Sequence, residues 1–235
     1  MNWATITIAY NEEDKIYQAL QNRMDAGYDT NLVMLSDKPF YGKDYPADDT
    51  EDIAIDMGAD VIKGIWSQDD PMLNCGLATL KSFDWVLFLA PDEFLTIKDH
   101  KKLRRFVEQD GNFPAYAIPT MNTYFKEPKW RIEPREDYQP IIVINPKESK
   151  FRDIRSVTTD FGWLPEDIIL HHYSWVRTDE QVKRKLENFS HAMQVDPNWY
   201  DKVWKTWTPE TKNFHPMIPS QYRSVVNDPP PEMFL

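Results

Sequence analysis

The sequence predicts an α/β fold in which a mostly parallel central sheet is flanked by helices. Two observations predict it. Over about the first 95 residues, short apolar runs alternate four times with segments of helical periodicity, the order that builds parallel strands joined by crossover helices. Three of those runs end in polar residues, so one edge of the sheet collects groups that a ligand needs.

Residues 4–10 are apolar apart from two threonines and read as a buried strand. Asn11 is the expected N-cap of the next helix. Glu12, Glu13 and Asp14 fill its first turn, where acids suit the helix dipole. Ile16, Leu20 and Met24 recur at helical spacing, and Gly27 is a natural stop. Residues 32–35 form a second strand that ends at Ser36 and Asp37. Thr50 is expected to cap a helix with Ile53 and Met57 on one face and Gly58 after it. Residues 61–66 read as a third strand. Asp70 caps a helix with Pro71 at its first position, where proline is tolerated, and Leu73, Leu77 and Leu80 form its buried stripe. The fourth strand, residues 85–90, reads WVLFLA and runs straight into Pro91, Asp92 and Glu93.

The second half has a different texture. Residues 98–109 predict a helix with Leu103, Phe106 and Val107 inward. Residues 115–120, 141–144 and 167–171 read as strands, the last running into His172. Strand side chains alternate, so His171 and His172 face opposite ways, and His171 is the structural one. Thr178 caps a long helix with Val182, Leu186, Phe189 and Met193 inward. From Asn198 onward the chain is rich in Trp, Tyr and Pro. That stretch is expected to wrap the outside or form a lid, with a short helix carrying Tyr200, Val203, Trp204 and Trp207. Pro229, Pro230 and Pro231 make a stiff tail. The expected division is one domain over residues 1–195, with halves at 1–95 and 96–195, followed by an extension over 196–235.

Composition excludes several classes. With 235 residues, 41% of them hydrophobic, the chain can bury one sizeable core and is no disordered segment. A formal charge of −11 argues against a face that wraps nucleic acid by counterion release, and against adhesion to anionic lipid. The single cysteine, Cys75, permits neither an internal disulfide nor a cysteine zinc site, and a small core residue is its expected role. The N-terminal apolar run lacks a basic flank and stops at Asn11, Glu12 and Glu13, which is a strand rather than a signal peptide. No apolar run approaches the ~20 residues of a membrane span. A soluble, cytoplasmic protein is expected. Nine tryptophans leave two readings open: a surface that stacks on sugars or bases, or a core short of leucine.

The order of motifs resembles the inverting glycosyltransferases of the GT-A fold, the large family-two group. The resemblance covers roughly residues 4–193. It rests on the opening strand and pair Thr5-Ile6-Thr7-Ile8-Ala9-Tyr10-Asn11-Glu12, on Asp37 after the second strand, and on Asn74 in "LNCGLA". It continues with Ala90-Pro91-Asp92-Glu93 in place of the family's Asp-x-Asp-Glu, then His172-Tyr173-Ser174, and a helix with Lys185-Leu186-Glu187-Asn188-Phe189. Two departures stand out. Ala90 replaces the first acid of the Asp-x-Asp pattern. The apolar-His-Glu triplet of related short enzymes has only Phe151-Arg152-Asp153 as its counterpart.

The resemblance implies transfer of a sugar from a nucleoside-diphosphate donor, a UDP-sugar by preference, to a glycan or other hydroxyl acceptor. It implies that Ala9, Tyr10, Asn11, Glu12, Asp37, Asn74 and Lys185 contact the nucleotide sugar. Asp92 becomes the ligand of a manganese or magnesium ion, with His172 completing the shell. Such a cation stabilises the leaving diphosphate as a Lewis acid, and hard oxygen donors suit it. The acceptor hydroxyl needs a base, for which Asp153 is the candidate and Asp137 and Asp160 the rivals. Glu93 orients the acceptor or caps the next element. Three alternatives stay open: a nucleotidyltransferase, a non-catalytic sugar-nucleotide or carbohydrate-binding protein, and a phage-type enzyme that glycosylates a modified DNA base. The first expects a glycine-rich basic loop where Asn11-Glu12-Glu13-Asp14 stands, and the acidic charge counts against the last.

Overall fold

The computed structural model describes residues 1–153, 155–188 and 192–231. The chain opens with β1 (Trp3–Ala9), α1 (Glu13–Asp25), β2 (Thr30–Ser36), α2 (Thr50–Asp56), β3 (Asp60–Gly64), α3 (Asp69–Thr79) and β4 (Trp85–Phe88). There follow β5 (Glu93–Phe94), α4 (Ile97–Asp110), β6 (Ala115–Ala117), β7 (Met121–Phe125), β8 (Trp130–Glu133) and β9 (Ile141–Ile144). The last elements are β10 (Phe151–Arg152), β11 (Ser156–Val157), β12 (Gly162–Trp163), β13 (Leu170–Trp175), α5 (Asp179–Asn188) and β14 (Ser224–Asn227), with short helical turns at Ala192–Gln194, Tyr200–Trp204 and Pro219–Gln221. These elements form two compact units. One comprises Met1–Lys38, Tyr45–Thr120 and Gln139–Leu170, and the other Pro39–Asp44, Met121–Tyr138 and His171–Leu235.

The first unit is built on a seven-stranded sheet of order β12-β6-β9-β4-β1-β2-β3. β1 runs parallel to β2 and to β4, β2 parallel to β3, and β6 parallel to β12, while β9 is antiparallel to both its neighbours. The α/β class and the mostly parallel sheet match the expectation from sequence. β1 and β4 are almost wholly buried because helices cover parallel sheets on both faces, which explains their unbroken apolar runs. Ile6 pairs with both Leu32 and Phe88, so β1 lies between β2 and β4, and β1 and β2 continue past the level at which β4 ends. α3 packs close to the sheet at Gly76, where a Cβ would stand 2.3 Å from Ile6 Cδ1 and 3.0 Å from the Met34 sulfur. Only glycine permits that approach.

Several boundaries differ from the sequence reading. Glu12, not Asn11, is the N-cap of α1, and Asn11 sits at φ 51°. Asp49 precedes α2, so Thr50 is its first residue rather than its cap. α3 begins at Asp69, β3 stops at Gly64 and β4 at Phe88. Met24 is exposed, and Arg23 takes the buried place. At 100° per residue, position 24 has rotated about 80° from Ile16 whereas position 23 has returned to within about 20°. β6 ends at Ala117, and the strand expected at 167–171 is β13, three residues later.

The second unit holds a sheet of order β14-β8-β7-β13. Its core is aromatic: Phe125, Trp175, Trp199, Trp204, Phe214 and Tyr222 are buried together with Ile132 and Val182. Phe125 lies within 4.8–6.4 Å, ring centre to ring centre, of Phe214, Trp204, Trp207, Trp199 and Trp175. Residues from 199 onward therefore supply core rather than only covering. The Trp204 indole donates to Asp179 at 2.8 Å, and Lys126 stands over its ring. Thr178 caps α5 as expected: its hydroxyl accepts from the Gln181 N–H at 3.3 Å, and Gln181 accepts from the Thr178 N–H at 2.7 Å. Met193, expected inward, is exposed, and Phe189 lies outside the described residues. Among the described residues no helix is long and apolar enough to cross a membrane.

Candidate functional site

The carboxyl edge of the parallel strands carries two features. The first is a small open cleft lined by Tyr10, Asn11, Leu35, Ser36, Asp37, Tyr45, Ala47, Asp48, Thr50, Glu51 and Lys63. Its floor is the ends of β1 and β2. Its wall is the loop 45–49, which has no regular structure of its own and is held by the turn after β1. The Tyr10 hydroxyl accepts from the Tyr45 N–H at 2.9 Å. The Asn11 amide donates to the Pro46 carbonyl at 3.0 Å and accepts from the Asp48 N–H at 3.3 Å. The Thr50 hydroxyl accepts from the Glu12 N–H at 2.8 Å, and Asp48 accepts from the Glu13 N–H at 3.1 Å. The left-handed conformation of Asn11 points its amide at this loop, a conformation that asparagine tolerates better than most residues.

Across the cleft, Lys63 pairs with Asp37 at 3.4 Å and with Glu51. Hydrogen bonding to Glu51 pushes the Lys63 ammonium above its ordinary pKa. The cleft thus combines the Tyr10 ring with the carboxylates of Asp37, Asp48 and Glu51 and the Lys63 ammonium.

The second feature is the turn after β4. Asp92 and Glu93 are 7% and 3% exposed, so both are core acids rather than markers of a solvated turn. Glu93 accepts from the Ala90 N–H at 2.9 Å and forms a buried ion pair with Arg155. Arg155 also stacks over the Phe88 ring at 4.4 Å. Arg23, fully buried on α1, donates to the carbonyls of Leu89 at 3.1 Å and Ala90 at 3.0 Å, and to its own helix at Ala19. Burial pulls the Arg23 pKa down to about 10, against the opposing pull of Glu93, Tyr28 and Asp92.

Of the residues singled out in the sequence, Tyr10, Asn11 and Asp37 line the cleft, whereas Ala9 and Glu12 flank it. Asn74 clamps β10: its amide donates to the Phe151 carbonyl and accepts from the Phe151 N–H, both at 2.9 Å. Asp153 is exposed on the loop after β10, at φ 47°, with Arg152 3.1 Å away. Asp160, in the same unit, and Asp137, in the other, are exposed as well. His172 and Lys185 belong to the second unit. His172 is half-buried in β13. Its neighbour His171 is buried, bonds the Tyr124 hydroxyl through Nδ1 at 2.9 Å, and is drawn down to a pKa of about 4 by burial. Lys185 is tied to the Ser174 carbonyl at 3.2 Å and lies over the Trp175 ring rather than free in solvent.

Sequence reasoning missed Arg23, Lys63 and the role of Arg155. One signal was present for the first. Arg23 follows Ile16 by seven residues on an otherwise apolar face, and arginine is almost never fully buried unless paired.

Among the described residues, no three His, Cys, Asp or Glu side chains cluster where they could hold a metal ion. A magnesium or manganese ion brought by a diphosphate needs only one or two protein carboxylates beside the phosphates.

The sequence matches no family model and no curated protein. Its structure is similar to that of Staphylococcus aureus TarS 1-349, at 14% identity and a TM-score of 0.49, over 74% of this chain and 61% of that one. The same TarS fragment in complex with UDP-GlcNAc gives 13% identity and a TM-score of 0.48, over 74% and 59%. Rv0371c from Mycobacterium tuberculosis H37Rv, in complex with manganese, gives 10% identity and a TM-score of 0.46, over 80% and 99%. The chain thus spans about three-fifths of the TarS fragment.

Proposed function

We propose that this chain is an inverting glycosyltransferase that moves a sugar from a nucleoside-diphosphate donor, a UDP-sugar by preference, to a hydroxyl acceptor such as a glycan. The observation that carries the reading is the pairing of two features at one sheet edge. A cleft lined by Tyr10 and Asp37 lies at the ends of β1 and β2, and a buried acidic turn follows the adjacent strand β4. In open α/β sheets ligands lie beyond the carboxyl ends of the strands.

In this reading Tyr10 and Asp37 take the base and ribose, and the turn after β1 holds the cleft wall in place. Asp92 would hold a manganese or magnesium ion that arrives with the diphosphate. Such a cation, when bound, would supply Lewis-acid stabilisation to a diphosphate leaving group. Asp153 takes the proton of the acceptor hydroxyl, with the Arg152 guanidinium 3.1 Å from it. The exposure of Asp153 lets an acceptor reach it. Ala90, where the family pattern has an acid, is the observation that favours a second reading, a sugar-nucleotide-binding protein without turnover.

One series of measurements tests both readings. Manganese with UDP should raise the melting temperature, since a ligand bound only by the native state stabilises it by mass action, and Asp92→Ala should abolish the manganese-dependent part. Equal shifts in parent and variant would remove Asp92 as the ligand. Turnover across a panel of nucleotide sugars separates enzyme from binder. Among the Asn variants of Asp137, Asp153 and Asp160, that of Asp153 should lose turnover about 100-fold or more with donor binding intact. Loss in one of the others instead moves the base there.

A further inference from the structure

Buried guanidiniums need a reason, because arginine is almost never fully buried without partners. α1 could close its apolar stripe at position 23 with any aliphatic residue. It carries Arg23, whose side chain is fully buried and directed at the turn after β4.

The backbone of that turn is gripped at successive atoms. Arg23 donates to the carbonyls of Leu89 and Ala90, Glu93 accepts from the Ala90 N–H, and Arg155 donates to Glu93. β4 has ended at Phe88, so no sheet ladder orders these carbonyls. The Leu89 N–H still donates to the Ile6 carbonyl at 3.3 Å and the Glu93 N–H to the Ala90 carbonyl at 3.1 Å. The side chains add to these two backbone bonds in fixing the path of residues 89–92.

We propose that Arg23 is a positioning residue for the acidic turn. Its planar fork fixes two consecutive carbonyls and so holds Asp92 at the orientation in which it meets a metal–diphosphate. The inference rests on the reading of Asp92 given above. It assigns Arg23 no contact with substrate. The fork geometry matters as much as the charge, because one lysine ammonium does not reproduce two spaced donors in a plane. Groups that orient a metal ligand change metal affinity by about 10- to 100-fold when removed.

The test compares Arg23→Met, which keeps the length of the side chain and removes every donor, with Arg23→Lys. UDP affinity is measured by calorimetry with and without manganese, and amide exchange is followed across the sheet. In Arg23→Met, the manganese-supported affinity should fall about 10- to 100-fold while the manganese-free affinity stays at the parental value. Amides of residues 89–93 should exchange faster while those of β1 and β2 stay protected. Arg23→Lys should recover part of the loss. A role confined to core stability predicts otherwise: equal losses with and without manganese, or faster exchange throughout the sheet, and either result overturns the proposal. If Arg23→Met does not fold, parental manganese dependence and parental exchange in Arg23→Lys overturn it. If the parent itself shows no manganese-dependent UDP binding, the functional reading fails. Exchange at residues 89–93 then decides on Arg23 alone, and unchanged exchange there refutes its hold on the turn.

Discussion

The two units spend their large side chains differently. In the first, a mostly aliphatic sheet core carries Trp3, Trp85, Phe88 and Tyr116, and polar residues gather where the strands β1 and β2 stop. In the second, the core is a cluster of Trp, Phe and Tyr drawn from β7, β13 and the irregular chain after residue 198. In the parallel sheet the register sets the edge: Ala9 stands beside Leu35, and Phe88 beside Ile6, so the chain after β4 continues alongside the end of β1. An aromatic core offers no comparable edge. Few rings must each bury much area, and each ring contacts several others. Tryptophan abundance, which leaves a sugar-stacking surface and a core open when only the sequence is read, resolves toward core at Trp3, Trp85, Trp175, Trp199 and Trp204.

The sharpest way to break this comparison is to truncate one ring. Phe125→Ala removes a fully buried ring that faces five other aromatic residues. The expected cost is ~3–5 kcal/mol, the range for buried phenylalanine truncations. Urea denaturation followed by tryptophan fluorescence measures it. A loss under ~1 kcal/mol would mean that the aromatic cluster repacks freely and is no true core.

Acid should weaken both units. His100 in the first is buried between the Tyr28 hydroxyl, 2.9 Å from Nδ1, and the Asn22 carbonyl oxygen, 3.0 Å from Nε2. Burial, and then the charges of Arg23 and Arg104, draw its pKa down to about 3. His171 in the second is drawn down to about 4 by burial, with Asp228 opposing. Both are neutral in the native state and near 6.5 when unfolded. Below that pH the unfolded chain binds more protons, so stability falls as pH drops from about 6.5 toward the folded values. At pH 5 each site removes about 2 kcal/mol relative to pH 7 or above. Replacing His100 by Gln should flatten the pH dependence of the urea midpoint by about half. An unchanged slope would assign the acid sensitivity to other groups.

Why one unit was legible and the other only in outline follows from the same contrast. Unbroken apolar runs mark buried parallel strands, as in β1, β2 and β4, and Leu73 and Leu77 mark the buried face of α3. β7 and β8 show neither mark: Met121-Asn122-Thr123-Tyr124-Phe125 is buried throughout, polar residues included, so alternation vanishes. β10, β11 and β12 have two residues each, too short for any period. At the site, Asp37 and Tyr10 could be read because strand ends are visible in a sequence. Lys63 could not, since its partners Asp37 and Glu51 meet it only through the pairing of β2 with β3. Arg155 likewise finds Glu93 from 62 residues away.

The smallest expected change in stability accompanies a large expected change in binding, at Asp37. Its carboxylate is about 40% exposed and faces Lys63, itself 41% exposed, at 3.4 Å. Exposed pairs of this kind contribute ~0–1 kcal/mol, and Lys63 keeps Glu51 as a second partner. Asp37→Ala should therefore leave the urea midpoint within that margin. Nucleotide binding should respond differently. A carboxylate at the end of β2, in a cleft with Tyr10 opposite, is placed to accept hydrogen bonds from a ribose or base. Hydrogen bonds to a charged group are worth ~1.5–3 kcal/mol, which corresponds to a loss of about 10- to 100-fold in affinity. The Asp37→Asn variant sharpens the assignment, because it keeps the size and one acceptor and removes the charge. It should fall between parent and Ala. Calorimetric titration with UDP, done without metal so that the acidic turn does not contribute, separates the cleft from the diphosphate end. If Asp37→Ala binds UDP as the parent does, the nucleoside does not lie in this cleft. If instead it loses stability by several kcal/mol, the Asp37–Lys63–Glu51 group is a structural clasp for the sheet edge, and the comparison between an ordered edge and an available one fails at its central point.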